Sequence, residues 1–206
     1  METTAGLPTL RVDAQRNQDR IVAAAREAFA EQGSEVSIEE IARRAGVGAA
    51  TVYRRFPTKE ILVAAIVDAV IGEVEVKLTA ALALTDAWEA LLAGMRVVLE
   101  IQAANMVVVQ VLAETGALPA LKEVVHERIM APLEEAFRRA QASGQLRPDL
   151  DPAEVPCLLG MVSTTAKHAH YHADIDSTES ESGWERYLTL LTDALRTPAP
   201  TPLPAR

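Results

Sequence analysis

Between Arg16 and Gln32 the apolar positions Ile21, Ala25, Ala28 and Phe29 recur every three or four residues, the spacing that lays one stripe along a helix. Gly33 ends that run. Ser37-Ile38-Glu39-Glu40 then has the form of a capping box, with Ser37 placed to cover an N-terminal amide and Glu40 to reach back. It opens a short helix to Ala45, stopped by Gly46. A second short helix spans Ala49 to Phe56 and is closed by Pro57, after which Thr58 caps a long amphipathic helix from Lys59 to about Leu82. The same period predicts helices near 86–104, 105–115, 120–142, 153–172 and 184–196, with Gly116, Pro119, Gly144 and Pro148 at the boundaries. Met106-Val107-Val108-Val109-Gln110-Val111 has strand-like composition but no partner strand elsewhere in the pattern, so it is read as helix. Pro132 removes one backbone bond inside the 120–142 helix and is expected to kink it. Residues 1–12 show no periodicity, and alternate prolines across 197–204 remove the donors a helix needs, so both ends are expected to be mobile. The chain reads as all-α, with about nine helices.

Composition narrows the function. Of 206 residues, 49% are hydrophobic and 24% charged, enough to bury a core and stay soluble. The net charge of −9 excludes a molecule basic over its whole surface, but the sign is uneven. Residues 1–62 balance nine basic against nine acidic side chains, whereas the rest of the chain carries the whole deficit, so a polyanion is expected to meet the first sixty residues. Cys157 is the single cysteine and can close neither an internal disulfide nor a thiolate zinc site. Met1-Glu2-Thr3-Thr4 lacks the layout of a signal peptide, and the longest charge-free stretch, between Glu100 and Glu114, is too short to span a bilayer. A cytoplasmic location without membrane contact is expected.

The informative stretch is Ser37–Lys59. Two short helices joined by Ala45-Gly46-Val47-Gly48 match a helix-turn-helix in length. Ile38, Ile41, Ala42, Val47, Val52 and Phe56 are placed to hold the pair on the first helix, leaving Ala49, Ala50, Thr51, Tyr53, Arg54 and Arg55 to face outward. Small residues opening the second helix permit close approach to base edges; Arg54 is suited to a bidentate contact with guanine and the Thr51 methyl to a thymine methyl. Ser37, Tyr53 and Lys59 are suited to phosphate, Lys59 at a helix N-terminus that attracts anions. One of Arg43 and Arg44 is expected to touch phosphate, a role assigned to Arg44, while the other pairs with Glu39 or Glu40 at helical spacing. An ordinary helical hairpin with solvated arginines has the same periodicity. The local charge of +2 over residues 37–60, inside an acidic chain, favours a polyanion instead.

Ser37-Ile38-Glu39-Glu40-Ile41-Ala42-Arg43-Arg44-Ala45-Gly46-Val47, followed by Thr51-Val52-Tyr53-Arg54-Arg55-Phe56-Pro57-Thr58-Lys59-Glu60, closely resembles the TetR family of bacterial transcriptional regulators. The resemblance is specific over residues 16–65. It implies a homodimer that binds a palindromic operator in double-stranded DNA, represses, and is released by a small-molecule effector, with no cofactor. By position, Thr51, Tyr53 and Arg54 match the family's recognition-helix contacts and Lys59 its phosphate-binding lysine. Gly48 and Ala49 stand where many members carry polar side chains, leaving fewer base contacts. The implied domains are an arm at 1–12, a DNA-binding domain at 13–60, a regulatory and dimerisation domain at 61–196 and a disordered Pro-rich tail at 197–206.

Two faces follow for the larger domain. Val155, Leu159, Val162, Ala166 and Ala169 form one apolar stripe and Trp184, Tyr187, Leu188, Leu191 and Leu195 another, suited to a four-helix dimer seam, although stripes that cover the protein's own core look the same. Trp88, Leu92, Met95 and Leu99, with Met106, His126, Met130, Phe137, Met161, Thr165, His168 and His172, are candidates to enclose a mostly apolar effector, although each alone fits ordinary packing. His168-x-His170-x-His172 has partial metal-ligand spacing but no cysteine nearby, and His126-Glu127-Arg128-Ile129-Met130 lacks the second histidine of a metalloprotease. No metal is therefore assigned. A reactive centre for an enzyme is absent from the motifs, and a helical adaptor that binds only protein is the other alternative.

Overall fold

A left-handed backbone at Gly46, φ 64° and ψ 37°, separates helices of eight and seven residues and sets the layout of the first third of the chain. The computed structural model describes residues 7–105, 118–172, 184–197, 201 and 203, with the side chains of 7–14, 34, 118–120 and 166–172 outside that description. Its helices are α1 (Leu7–Gln32), α2 (Ile38–Ala45), α3 (Ala49–Arg55), α4 (Lys59–Leu82), α5 (Ala87–Ala104), α6 (Leu118–Val125), α7 (Ala131–Ala142), α8 (Val155–His172) and α9 (Trp184–Leu195). Among the described residues no strand forms apart from a single bridge between Leu146 and Arg196. The helix expected near 105–115 lies outside the described residues. No described helix is long and apolar enough to cross a membrane.

Contacts divide the chain into two compact units, residues 1–70 with 105–120 and residues 71–104 with 121–206. In the first, α1 packs along α2, and α2 on α3. Phe29 and Phe56, 1% and 3% exposed, sit in a core with Ile21, Ile41, Val52, Leu62 and Ile66. Burial of each aromatic ring contributes roughly 1.5–3 kcal/mol. In the second unit α5 packs against α7, α8 and α9, and α8 lies along α9. The tightest approach is at Gly94, where a Cβ would come within 2.8 Å of Leu133, 2.9 Å of Leu82 and 3.1 Å of Leu78.

Three expectations are corrected. The N-terminal arm is not irregular up to residue 12, because α1 already begins at Leu7. Pro8 falls in its first turn, where a missing amide donor is tolerated, and no breaker follows before Gly33. The 120–142 helix is not simply kinked at Pro132. A π-helical turn, His126–Met130, separates α6 from α7, and the Ala131 amide donates to the His126 carbonyl five residues back. That widened turn accommodates a proline at the start of α7.

The C-terminal segment, expected to be disordered, is held at its described residues. Arg147, 7% exposed, forks onto Asp149 at 2.6 and 2.8 Å and also donates to the Thr201 carbonyl at 2.8 Å. The Leu203 amide donates to Asp149 at 3.0 Å, the Arg147 amide to the Leu195 carbonyl at 3.0 Å, and the Thr197 hydroxyl to the Gly144 carbonyl.

Gly94→Ala is expected to destabilise the fold by about 1–3 kcal/mol through overpacking, measured by urea unfolding; an unchanged midpoint would mean the three leucines make room without cost. The Arg147 guanidinium and the Leu203 amide hold the Asp149 carboxyl well below the usual carboxylate range. A depressed folded-state pKa stabilises fully above the unfolded value of about 4, and the contribution fades as pH falls further. Asp149→Asn should therefore melt below wild type at pH 7, with the gap narrowing under acid conditions. A gap independent of pH would contradict the assignment.

Candidate nucleic-acid interface

The turn between α2 and α3 is built from both sides. Ser37 caps α2, its hydroxyl oxygen accepting the Glu40 amide at 3.2 Å, and Gly46 closes the helix with its amide directed at the Ala42 and Arg43 carbonyls. Arg20 on α1 donates to the Ala45 carbonyl at 2.5 Å and to the Gly46 carbonyl at 3.3 Å, placing a cation at the negative end of α2. A Cβ at Gly46 would meet that guanidinium at 2.9 Å. Sequence reading did not single out Arg20, because its partners lie about 25 residues away and nothing local marks them. Arg55 similarly ties α3 to α1, donating to Gln18 at 2.9 Å, so it is engaged on that side rather than simply outward-facing.

The capping box forms only in half. Instead of reaching back to Ser37, Glu40 is forked by Arg43, at 2.6 and 2.9 Å, and takes Arg44 at 2.8 Å. These two cations lower its pKa to about 2, with the Arg43 hydrogen bond the larger cause. Arg44 also pairs with Glu31 of α1 at 2.7 Å and is 21% exposed, against 72% for Arg43. Arg44, expected at phosphate, is thus engaged by two carboxylates. Arg44 ties α2 to α1 through Glu31, and Arg43 is the more exposed arginine of α2.

On α3, Val52 is fully buried while Ala50, Tyr53 and Arg54 are exposed and Ala49 and Thr51 half-buried. Gly48 precedes the helix in extended conformation and has no side-chain cap. The start of α3 is therefore low in bulk and followed one turn later by Tyr53 and Arg54. Tyr53 donates to Glu39 at 3.2 Å, and this bond pushes the phenol pKa up. Lys59 lies 5.3 Å over the Phe29 ring. Ser37, Gly48, Ala49, Thr51, Tyr53, Arg54 and Lys59 thus come from one short segment whose core positions are filled by Val52 and Phe56. Chemically, the outward set offers a guanidinium, a phenol and hydroxyls around a bare helix start, which suits a groove lined by phosphates.

The described effector candidates differ widely in burial. Trp88 and Met95 are core, with the Trp88 ring under Arg196 at 4.9 Å and its amide on Gln145 at 3.2 Å. Leu92 and Met130 are half-buried, the His126 side chain is exposed, and Met161 and Thr165 lie at the surface. Met106 and the His168, His170 and His172 side chains are outside the described residues. A cleft of about 240 Å³ lies elsewhere in this unit, with Leu78, Leu82 and Pro132 among its walls and Glu75, Thr79, Glu127 and Arg128 as its polar groups. Arg128 donates to Glu75 there at 2.5 and 3.1 Å.

Most residues named for the dimer stripe pack inside the protomer. Val155, Leu159, Val162, Trp184, Leu188 and Leu195 are 1–4% exposed, inside the protomer's own core. Of that set Leu191 is half-buried, and the Ala166 side chain is outside the description. The open edge of α8 and α9 is Met161 and Leu190, each 59% exposed, with Val162, Thr165, Tyr187 and Leu191 around a groove of about 230 Å³, so Val162 and Leu191 of the named stripe reach it.

Residues 21–66 match the family described as bacterial regulatory proteins, tetR family. A TetR transcription regulatory protein from Mycobacterium vanbaalenii is 34% identical and superposes with a TM-score of 0.68 over 91% of this chain and 99% of that one. The TetR transcriptional regulator SCO0520 from Streptomyces coelicolor is 29% identical, with a TM-score of 0.66 over 88% and 99% of the two chains. The HTH-type transcriptional regulator SrpR from Pseudomonas putida is 28% identical over 144 residues, 68% of each chain.

Gly46→Ala forces a non-glycine residue into the left-handed region and is expected to cost about 1–2 kcal/mol in thermal or chemical unfolding. Arg20→Ala should destabilise the first unit in the same direction. Wild-type melting of both variants would show that the turn does not depend on this clamp.

Proposed function

Because the chain belongs to the TetR family of bacterial regulatory proteins, we propose that this transcriptional regulator binds a palindromic operator as a homodimer and represses from it. The family is one of DNA-binding regulators rather than enzymes. The observation that carries the reading is the α3 surface. Gly48, Ala49 and Ala50 leave its start without bulk, so the backbone can enter a major groove, and Arg54 follows one turn later as a fork for guanine. Thr51 contacts a thymine methyl. Ser37, Arg43, Tyr53 and Lys59 hold flanking phosphates, which fixes register without carrying sequence information. A cytoplasmic site of action follows from the partner, operator DNA.

In this reading the second copy docks on the Met161, Thr165, Tyr187, Leu190 and Leu191 edge. The exposed methionine and leucine are its apolar anchors, and α8 and α9 of two protomers make a four-helix seam. A two-fold axis then matches two half-sites in successive major grooves. The effector is a small amphipathic molecule that enters the Glu75–Arg128 cleft, lays its apolar part on Leu78 and Leu82 and displaces the ion pair. Glu75 lies on α4, the helix whose first residue is Lys59. A preference for the released state of about 1–3 kcal/mol is enough to weaken operator affinity 5- to 150-fold.

Arg54→Ala should relax preference at one base pair and cost about 1–3 kcal/mol, whereas Lys59→Ala should weaken all sequences alike and lower the salt slope by about one ion. Fluorescence anisotropy against specific and scrambled duplexes separates the two effects, and unchanged binding in both variants would remove α3 from the interface. Met161→Glu combined with Leu190→Glu should sediment as a monomer at micromolar concentration. A persistent dimer would place the seam on another surface.

A further inference from the structure

Tyr53 carries a single phenolic proton, and in the free protein that proton is already given to Glu39 at 3.2 Å. Both side chains are exposed, Tyr53 on α3 and Glu39 in the first turn of α2, so the pair stands on the surface that the DNA reading assigns to the phosphate backbone. A phosphate oxygen and a carboxylate oxygen compete for the same donor, and the two acceptors repel each other when brought close. Glu40 next to it is neutralised by Arg43 and Arg44, whereas Glu39 faces a neutral phenol. We propose that Glu39 is an affinity-limiting residue, which holds Tyr53 away from phosphate in the free protein and must surrender it when the duplex arrives.

The consequence is a brake on the phosphate-contact part of binding, which every duplex shares. A duplex that offers only phosphates must break the Tyr53–Glu39 bond and bring a phosphate beside a carboxylate for one new hydrogen bond. A matched operator adds the base contacts of Arg54 and Thr51, which are independent of that exchange. Glu39 thereby lowers affinity for all DNA alike and leaves the ratio of operator to random binding to the base contacts, unchanged by the exchange. This inference rests on the assignment of the α3 surface to DNA.

The test uses the full chain and a fluorescein-labelled random-sequence duplex at low salt, with wild type, Glu39→Ala, Tyr53→Phe and the double variant, each checked for native melting. Glu39→Ala should tighten binding by about three- to tenfold while Tyr53 is present. In the Tyr53→Phe background the same substitution should give a clearly smaller gain, since only charge repulsion is then relieved. Equal gains in both backgrounds would reduce Glu39 to a distant charge and overturn the competition. Weaker binding in Glu39→Ala would make the carboxylate a support that presents Tyr53 to phosphate, the opposite role. A wild-type chain that binds no duplex at all would instead remove the DNA reading on which the inference stands, and it is recognised because every variant then fails together.

Discussion

The chain has only three residues, Gly46, Val47 and Gly48, in which to stop one helix and launch the next, and the rest of the first unit depends on how those residues are held. A helix end exposes carbonyls that need donors. Here the Gly46 amide is directed at two of them from within, while the Arg20 guanidinium from α1 serves the Ala45 carbonyl and that of the Gly46 cap. The direction of α3 is therefore set by a side chain from another helix as much as by the turn itself. With Val52 and Phe56 filling the core below and Arg55 pinned to Gln18, α3 has its outward face fixed before any ligand is present.

Charge is organised around the same frame. Glu31, Arg44, Glu40 and Arg43 form an alternating row from α1 across α2, in which each carboxylate sits against at least one guanidinium. Such exposed pairs contribute little stability individually, but they decide which cations remain available. Arg44 is committed to the scaffold and Arg43 is not shielded from solvent. The acidic remainder of the chain keeps a polyanion away from other surfaces and leaves the neutral first sixty residues as its place of approach.

Local signals in the sequence carried the first unit well. The cap at Ser37, the stop at Gly46, the buried positions Ile41, Ala42, Val52 and Phe56, and the outward Tyr53 and Arg54 all follow from periodicity and caps within a few residues. What was not legible depends on distant partners. Arg20, the engagement of Arg44 by Glu31 and the holding of Thr201 and Leu203 by Arg147 and Asp149 are long-range choices with no local mark. The second unit illustrates a different limit. Apolar stripes on α8 and α9 are equally consistent with core and with seam, and burial of Val155, Leu159 and Leu188 shows that they fill the protomer, leaving the Met161 and Leu190 edge open. The π-helical turn before Pro132 was hidden for a similar reason, since a proline in a helical pattern announces a disturbance but not its geometry.

In the proposed reading α3 reads DNA bases, and two copies do so symmetrically. It is tested most directly by selecting tight binders from a random duplex library with the full-length protein and sequencing the enriched pool. Symmetric reading by two copies of α3 enriches an inverted repeat whose half-site centres lie about one helical turn, roughly 10 base pairs, apart or a multiple of it, with guanine at one position in each half. Enrichment of a single asymmetric site, or no enrichment over the starting library, would contradict it.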